Sequence, residues 1–171
     1  KLTQNTIMAI TLTGYSVPVF WLGLYLSLWF GVDLGWLPIS GQINLLYEIK
    51  PINGFMLVDT LLSESEYGMS AFKDALLHII LPATTLAVLP FTVVVRSTRS
   101  AMMNVMNQTF IRAAEARGMH TGTIILRHAL PNALIPVLKH LGLMLGSFAS
   151  YAIVVEMIFS WPGVGSWLVS G

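Results

Sequence analysis

Residues Ile7 to Phe30 run for 24 positions without a single Asp, Glu, Lys or Arg. As a helix rising ~1.5 Å per residue, the run covers about 36 Å, against ~30 Å for the hydrocarbon core of a bilayer. The rest of the chain repeats the pattern. Of 171 residues, 55% are hydrophobic and 10% charged, where an ordinary soluble domain has about 25% charged. The mean hydropathy is +0.73. These values exclude a disordered chain and indicate a membrane-embedded one. Gly14 and Pro18 fall inside the run, which transmembrane helices tolerate and often answer with a kink. Trp21, Tyr25, Trp29 and Trp36 gather toward one end, as an interfacial aromatic belt does. The chain opens on Lys1 and carries no signal-peptide pattern, so it reads as a fragment of a longer chain. Cysteine is absent, which removes disulfides, thiolate metal sites and a cysteine nucleophile.

Two further apolar stretches follow. Ala75 to Val95 has no formal charge, although His78, Pro82 and Pro90 interrupt it. Ala133 to Val155 is long enough to span if Lys139 snorkels to the interface. The expected architecture is an all-α, polytopic transmembrane helix bundle with spans at about 6–30, 75–97 and 133–157. Charge orients it. Residues 31–74 hold Asp33, Glu48, Asp59, Glu64, Glu66 and Asp74 against Lys50 and Lys73. Residues 96–139 hold Arg96, Arg99, Arg112, Arg117, Arg127 and Lys139 against Glu115 alone. Cytoplasmic loops carry the excess of Lys and Arg. Loop 31–74 is therefore expected outside and loop 98–132 in the cytoplasm. The sequon Asn107-Gln108-Thr109 then lies on the wrong side for glycosylation. The apolar groups Leu45–Ile49 and Phe55–Val58 predict partial order in the external loop.

The cytoplasmic loop reads as structured. Thr109 to Arg117 has strong helix formers, and Phe110, Ala113, Ala114 and Arg117 share a face at i, i+3, i+4 and i+7. Gly118 stands where a left-handed helix cap needs a glycine. Thr121 or Thr123 is positioned to cap a second short helix, Ile124 to Leu130, ending before Pro131. The alanine face permits close approach by another surface.

Arg112-Ala113-Ala114-Glu115-Ala116-Arg117-Gly118, followed after twelve residues by Pro131, resembles the EAA loop of ABC importer permeases. That pattern is Glu-Ala-Ala, three residues, Gly, nine residues, Ile, one residue, Leu-Pro. Ala113, Ala114, Gly118, Leu130 and Pro131 match in register. Arg112 stands in place of the glutamate and His128 in place of the isoleucine. The phrases FWLGL, LGWLPISG, LLHIILP, TRSAMMNVMNQTFIRAAEARG, RHALPNALIPV and VVEMIFSWPGVG are similar to the peptide-importer branch. External residues 41–65 look like its antimicrobial-peptide and dipeptide permeases.

The resemblance implies a partial type I importer permease, an inner-membrane subunit forming part of a peptide path. A second permease subunit, two cytoplasmic ATPase subunits and a periplasmic substrate-binding protein are the implied partners, with membrane lipid around the spans. The helix at 109–117 would sit in an ATPase cleft, and the ATPase pair would rock the spans between inward-open and outward-open states. The chain itself is then a transport subunit and not an enzyme. It has no Gly-x4-Gly-Lys-Ser/Thr phosphate loop, and no cofactor is implied. With Arg112 replacing the acid, Glu115 at i+3 is its available partner.

Outside that loop, Glu156 is an ionisable group near the end of a span. It reads either as part of a gate, with Trp161, Pro162 and Gly163, or as a carboxylate bonded to the turn at 160–165. Gly142, Gly146 and Ser150 follow small-xxx-small spacing, which suits helix packing. His78, His120, His128 and His140 show no metal-ligand spacing. The basic loop adjoins spans, so lipid headgroups explain it better than nucleic acid does. An intramembrane enzyme would need a second acid or a nucleophile–base pair in the spans, and neither is present. The competing readings are a membrane scaffold or channel subunit without an ATPase, and an importer of a non-peptide solute such as haem.

Overall fold

The computed structural model describes residues 18–63 and 67–170, all helix, turn or irregular chain. Among these residues α1 is Val19–Asp33, α2 Met56–Leu62, α3 Gly68–Met106, α4 Thr109–Ala116, α5 Thr121–Ile158 and α6 Val164–Ser170. Their contacts divide them into two compact units, one made from 18–87 and 149–170, the other from 88–148. The long helices α3 and α5 contribute to both.

α3 and α5 are 39 and 38 residues long and apolar enough to cross a bilayer. Only 22% and 6% of their most apolar windows are buried within the chain. A core helix of a soluble protein would hide those side chains, so the apolar surface here faces lipid or another subunit. Both helices extend beyond the expected membrane-crossing residues 75–97 and 133–157, to Gly68–Met106 and Thr121–Ile158. Pro131 does not end a short helix before a separate span. The backbone is π-helical over Ile124–Ala129, with the Leu130 amide donating to Ile125 O five residues back. The wider π turn accommodates a proline ring that would otherwise crowd the preceding turn. The Asn132 side chain then donates to His128 O at 2.7 Å.

The first expected span is described only from Pro18 onward, and Gly14 lies outside the described residues. Pro18 is not within the helix. With ψ at 138° it is extended and precedes α1, and its carbonyl accepts the first helical bond, from Leu22 N at 3.1 Å. A proline has no N–H to lose at a helix start. From Ser27 to Asp33 α1 is π-helical. Its aromatic residues form a contiguous stripe: Trp21 stacks on Tyr25 at 5.2 Å, Tyr25 lies 6.4 Å from Trp29, and Trp29 lies 4.9 Å from Phe30.

In the unit containing α1, Leu81, Val155 and Phe159 form the core, with Val19, Leu26, Phe30 and Leu37 packed around them. Gly23 permits the approach of α1, since a Cβ there would lie 3.2 Å from Thr85 Cγ2. The connection after α1 is tied down by polar groups. Gly41 N donates to Phe159 O at 2.8 Å, and Asn44 N to Asp74 Oδ2 at 2.7 Å. Buried Asp59 accepts from Asn53 N at 2.8 Å and Gly54 N at 3.1 Å. These bonds and the short helix α2 accord with the partial order expected of this segment.

In the unit of residues 88–148, two small cores adjoin. Ala101, Ala133 and Val137 form one. Ile111, Ala114, Ile124 and Ala129 form the other, covered by Met102, Val105, Met106 and Met119. Fully burying one isoleucine is worth about 1.5–3 kcal/mol, so Ile111 and Ile124 hold α4 against α5.

Candidate coupling and translocation site

α4 is short, and its placement depends on its ends. Gln108 is its extended N-terminal neighbour. At the other end Gly118 has φ +74°, a conformation that costs glycine nothing. Gly118 N donates to Glu115 O at 2.9 Å and Met119 N to Ala114 O at 3.3 Å. This pair of bonds is a Schellman cap, and Met119 supplies its apolar contact by packing on the core that contains Ala114. The next helix starts at once. Its cap is His120, whose Nδ1 accepts from Gly122 N at 3.1 Å; neither Thr121 nor Thr123 fills that role. An imidazole nitrogen can do what a threonine hydroxyl does, because only an acceptor is required there.

The face expected from Phe110, Ala113, Ala114 and Arg117 is divided. Ala114 is 8% exposed and Ile111 is 0% exposed, both turned into the chain's own core. Phe110, Ala113 and Arg117 are exposed, as are Arg112, Glu115 and Ala116. Residues 111 and 114 lie on one side of the 3.6-residue turn, and 110, 113 and 117 on another. The i, i+3 spacing of Ile111 and Ala114 is the sequence signal for the inward side, and the adjacent alanine pair obscures it. Among the described residues no ion pair joins Arg112 to Glu115. Leu130 and Pro131 lie at the end of the π-helical stretch of α5, next to buried Ala129.

The second group of residues lies at the end of α5. Glu156 Oε2 accepts from Ser166 N at 3.0 Å, and Glu156 O from Trp161 N at 2.8 Å. A Cβ on Gly163 would overlap the Glu156 carboxylate. One on Gly165 would lie 2.6 Å from Ile153 Cγ1 and 2.9 Å from Ile153 Cα. Ser166 Oγ closes the turn, donating to Gly163 O at 2.8 Å, and Gln42 Nε2 donates to Pro162 O at 3.3 Å. The structure thus brings Glu156, Trp161, Pro162 and Gly163 together. Glu156 and Trp161 also line a cleft of ≈ 240 Å³. A Cβ on Gly142 or Gly146 would meet nothing within 4 Å, so these glycines make no close packing contact among the described residues. Asp59 and the His120 cap have no counterpart among the sequence expectations, since isolated Asp and His residues carry no spacing signal.

Known proteins resemble this chain along its whole length. The family model described as "binding-protein-dependent transport system inner membrane component" matches residues 1–171. The chain is 48% identical over 169 residues to the di/tripeptide transport system permease protein DppB of Pseudomonas aeruginosa (strain UCBPP-PA14), covering 99% of this chain and 49% of that protein. It is 47% identical over 170 residues to the putrescine export system permease protein SapB of Escherichia coli (strain K12), covering 99% and 53%. The dipeptide transport system permease protein DppB of the same strain is 41% identical over 169 residues, covering 97% and 49%. The chain spans about half the length of the curated relatives it matches. The family is described as an inner membrane component of transport systems, and the relatives are named as permease proteins of transport or export systems. With a match that runs from its first residue to its last, this chain belongs to the binding-protein-dependent transport system inner membrane components.

Proposed function

We propose that the chain is part of a permease subunit of an ABC peptide importer, and that α4 is the element through which a cytoplasmic ATPase drives it. One observation carries the reading. α4 is fixed to its own chain through Ile111 and Ala114 and closed by Gly118, while Phe110, Ala113 and Arg117 point outward. A helix mounted this way passes a push on its outer face to α5, which it packs against. The outer face fits a cleft of an ATPase subunit, with Arg112 and Arg117 beside it. Two such ATPases, a second permease subunit and a periplasmic binding protein complete the assembly. Gly142, Gly146 and Ser150 suit packing on the second permease. Glu156, Trp161, Pro162 and Gly163 belong to the external end of the path.

The charge pattern supports residues 31–74 outside and 98–132 in the cytoplasm. A cysteine at Ser65 is expected to react with an impermeant thiol reagent from outside, and one at Thr121 to be protected. The reverse pattern would overturn the orientation.

Peptide is the first reading for cargo, because two relatives are named for di- or tripeptides. Diamine export is the second, favoured by the name of the putrescine relative. The two cargo classes share a primary ammonium group. ATP-dependent movement of a radiolabelled dipeptide and of putrescine through the reconstituted full complex, in each direction, separates them. Movement without any ATPase subunit would support the channel reading instead.

A further inference from the structure

The cleft beside Glu156 has unusual walls for a carboxylate. Ile79, Pro82, Ala83 and Val155 line it together with Glu156 and Trp161. Glu156 Oε2 is engaged by Ser166 N, while Oε1 has no hydrogen-bond donor among the described residues. Among the described residues no lysine, arginine or histidine is paired with Glu156. A half-buried carboxylate oxygen that meets no donor beside apolar walls is suited to receive a cation. Trp161 adds an aromatic surface, which attracts the same kind of ion. At ≈ 240 Å³ the cleft is smaller than the ~300–1,000 Å³ of pockets for drug-sized ligands. It admits one end of a molecule.

We propose that this cleft binds the primary ammonium group of the cargo, with Glu156 as its counter-ion, Trp161 as its aromatic wall and the apolar residues admitting the adjoining carbon chain. The proposal rests on the transport reading above and deepens it. The hydrogen bond to Ser166 N has a separate task, holding the turn so that the carboxylate stays beside the cleft. Charge and turn are therefore separable. In Glu156→Gln the amide oxygen still accepts from Ser166 N, but the negative charge is gone.

The test uses the full permease–ATPase complex in lipid nanodiscs, without the binding protein, so that selection upstream plays no part. Dialanine, N-acetyl-dialanine and 1,4-diaminobutane are titrated while tryptophan fluorescence is followed, with Trp161→Phe identifying the contribution of that residue. Dialanine and 1,4-diaminobutane are expected to give a saturable signal that depends on Trp161, and N-acetyl-dialanine none at the same concentrations. Glu156→Gln is expected to weaken the binding of both amines at least tenfold, about 1.4 kcal/mol. Ala83→Leu, which fills the cleft without touching the turn, is expected to do the same in a complex of unchanged melting temperature. Equal binding of dialanine and its N-acetyl form, no Trp161 signal, or undiminished binding in either variant would overturn the proposal. ATP-driven transport by the wild-type complex is measured separately. Its presence alongside a failed titration removes the ammonium site and leaves the transport reading standing; its absence removes the transport reading itself.

Discussion

Gly118 and the pair Gly163 and Gly165 each stand in a turn that follows a helix, and they need glycine for different reasons. Gly118 has φ +74° with nothing within 4 Å of where a Cβ would stand. Its requirement is conformational: the left-handed backbone, not the space, excludes other residues. Gly163 and Gly165 have no such backbone demand, yet a Cβ on either meets Glu156, and on Gly165 also Ile153. Their requirement is volume. The first turn is supported by an apolar core of Ile111, Ala114, Ile124 and Ala129, the second by hydrogen bonds from Ser166 and Trp161 to one glutamate. The first turn closes α4 against its apolar core. The second holds a charge in place.

Substitutions around the two turns can break or sharpen this contrast. The largest effect is expected from Ala114→Trp. Ala114 is 8% exposed, and overpacking a small core costs about 3 kcal/mol or more. Amide exchange over residues 109–119 should accelerate in this variant. Ala113→Trp, on the exposed side, should leave exchange unchanged while weakening ATPase association at least tenfold. If the two variants exchange alike, the division of α4 into an inner and an outer face is wrong.

Gly165→Ala comes next, at about 1–3 kcal/mol, because backbone at Ile153 Cα, 2.9 Å from the new Cβ, has little room to yield. A lowered thermal midpoint of the solubilised complex would register it. An unchanged midpoint would remove the volume argument. Gly118→Ala should cost about 1–2 kcal/mol, the penalty of a left-handed L-residue, seen as faster exchange at Ala114 to Met119. Gly118→Asn should cost less, since asparagine visits that region more readily. Equal costs for the two would speak against a purely conformational role. The smallest effect is expected for Glu115→Gln. Glu115 is exposed and unpaired with Arg112, so the melting midpoint should correspond to a change within ~0.5 kcal/mol. A larger loss would reveal an ion pair in solution.

The candidate site is legible in the sequence in unequal parts. Gly118 can be identified as a cap from its position after a helix-forming run, because that conformation has few other residues to choose from. The grouping of Glu156 with the 160–165 turn follows from proximity along the chain. The inward turn of Ala114 and the His120 cap are not legible in this way. Ala113 and Ala114 are the same residue type, and only the core they pack near distinguishes them.

The sequence by itself determined that this is a helical membrane protein, which side its charges favour, and where a glycine must break the helix. Those properties arise from transfer free energy and from local backbone sterics, both additive along the chain. Tertiary structure alone decided which side of α4 is buried and which exposed, that Pro131 is carried through on a π-helical turn, and that Glu156 lines a cleft with apolar walls. The first and last of these depend on residues distant in sequence coming together, as Ile111 and Ile124 do in one core and Ile79 and Trp161 do around one cleft. No local pattern encodes such pairings until the chain has packed.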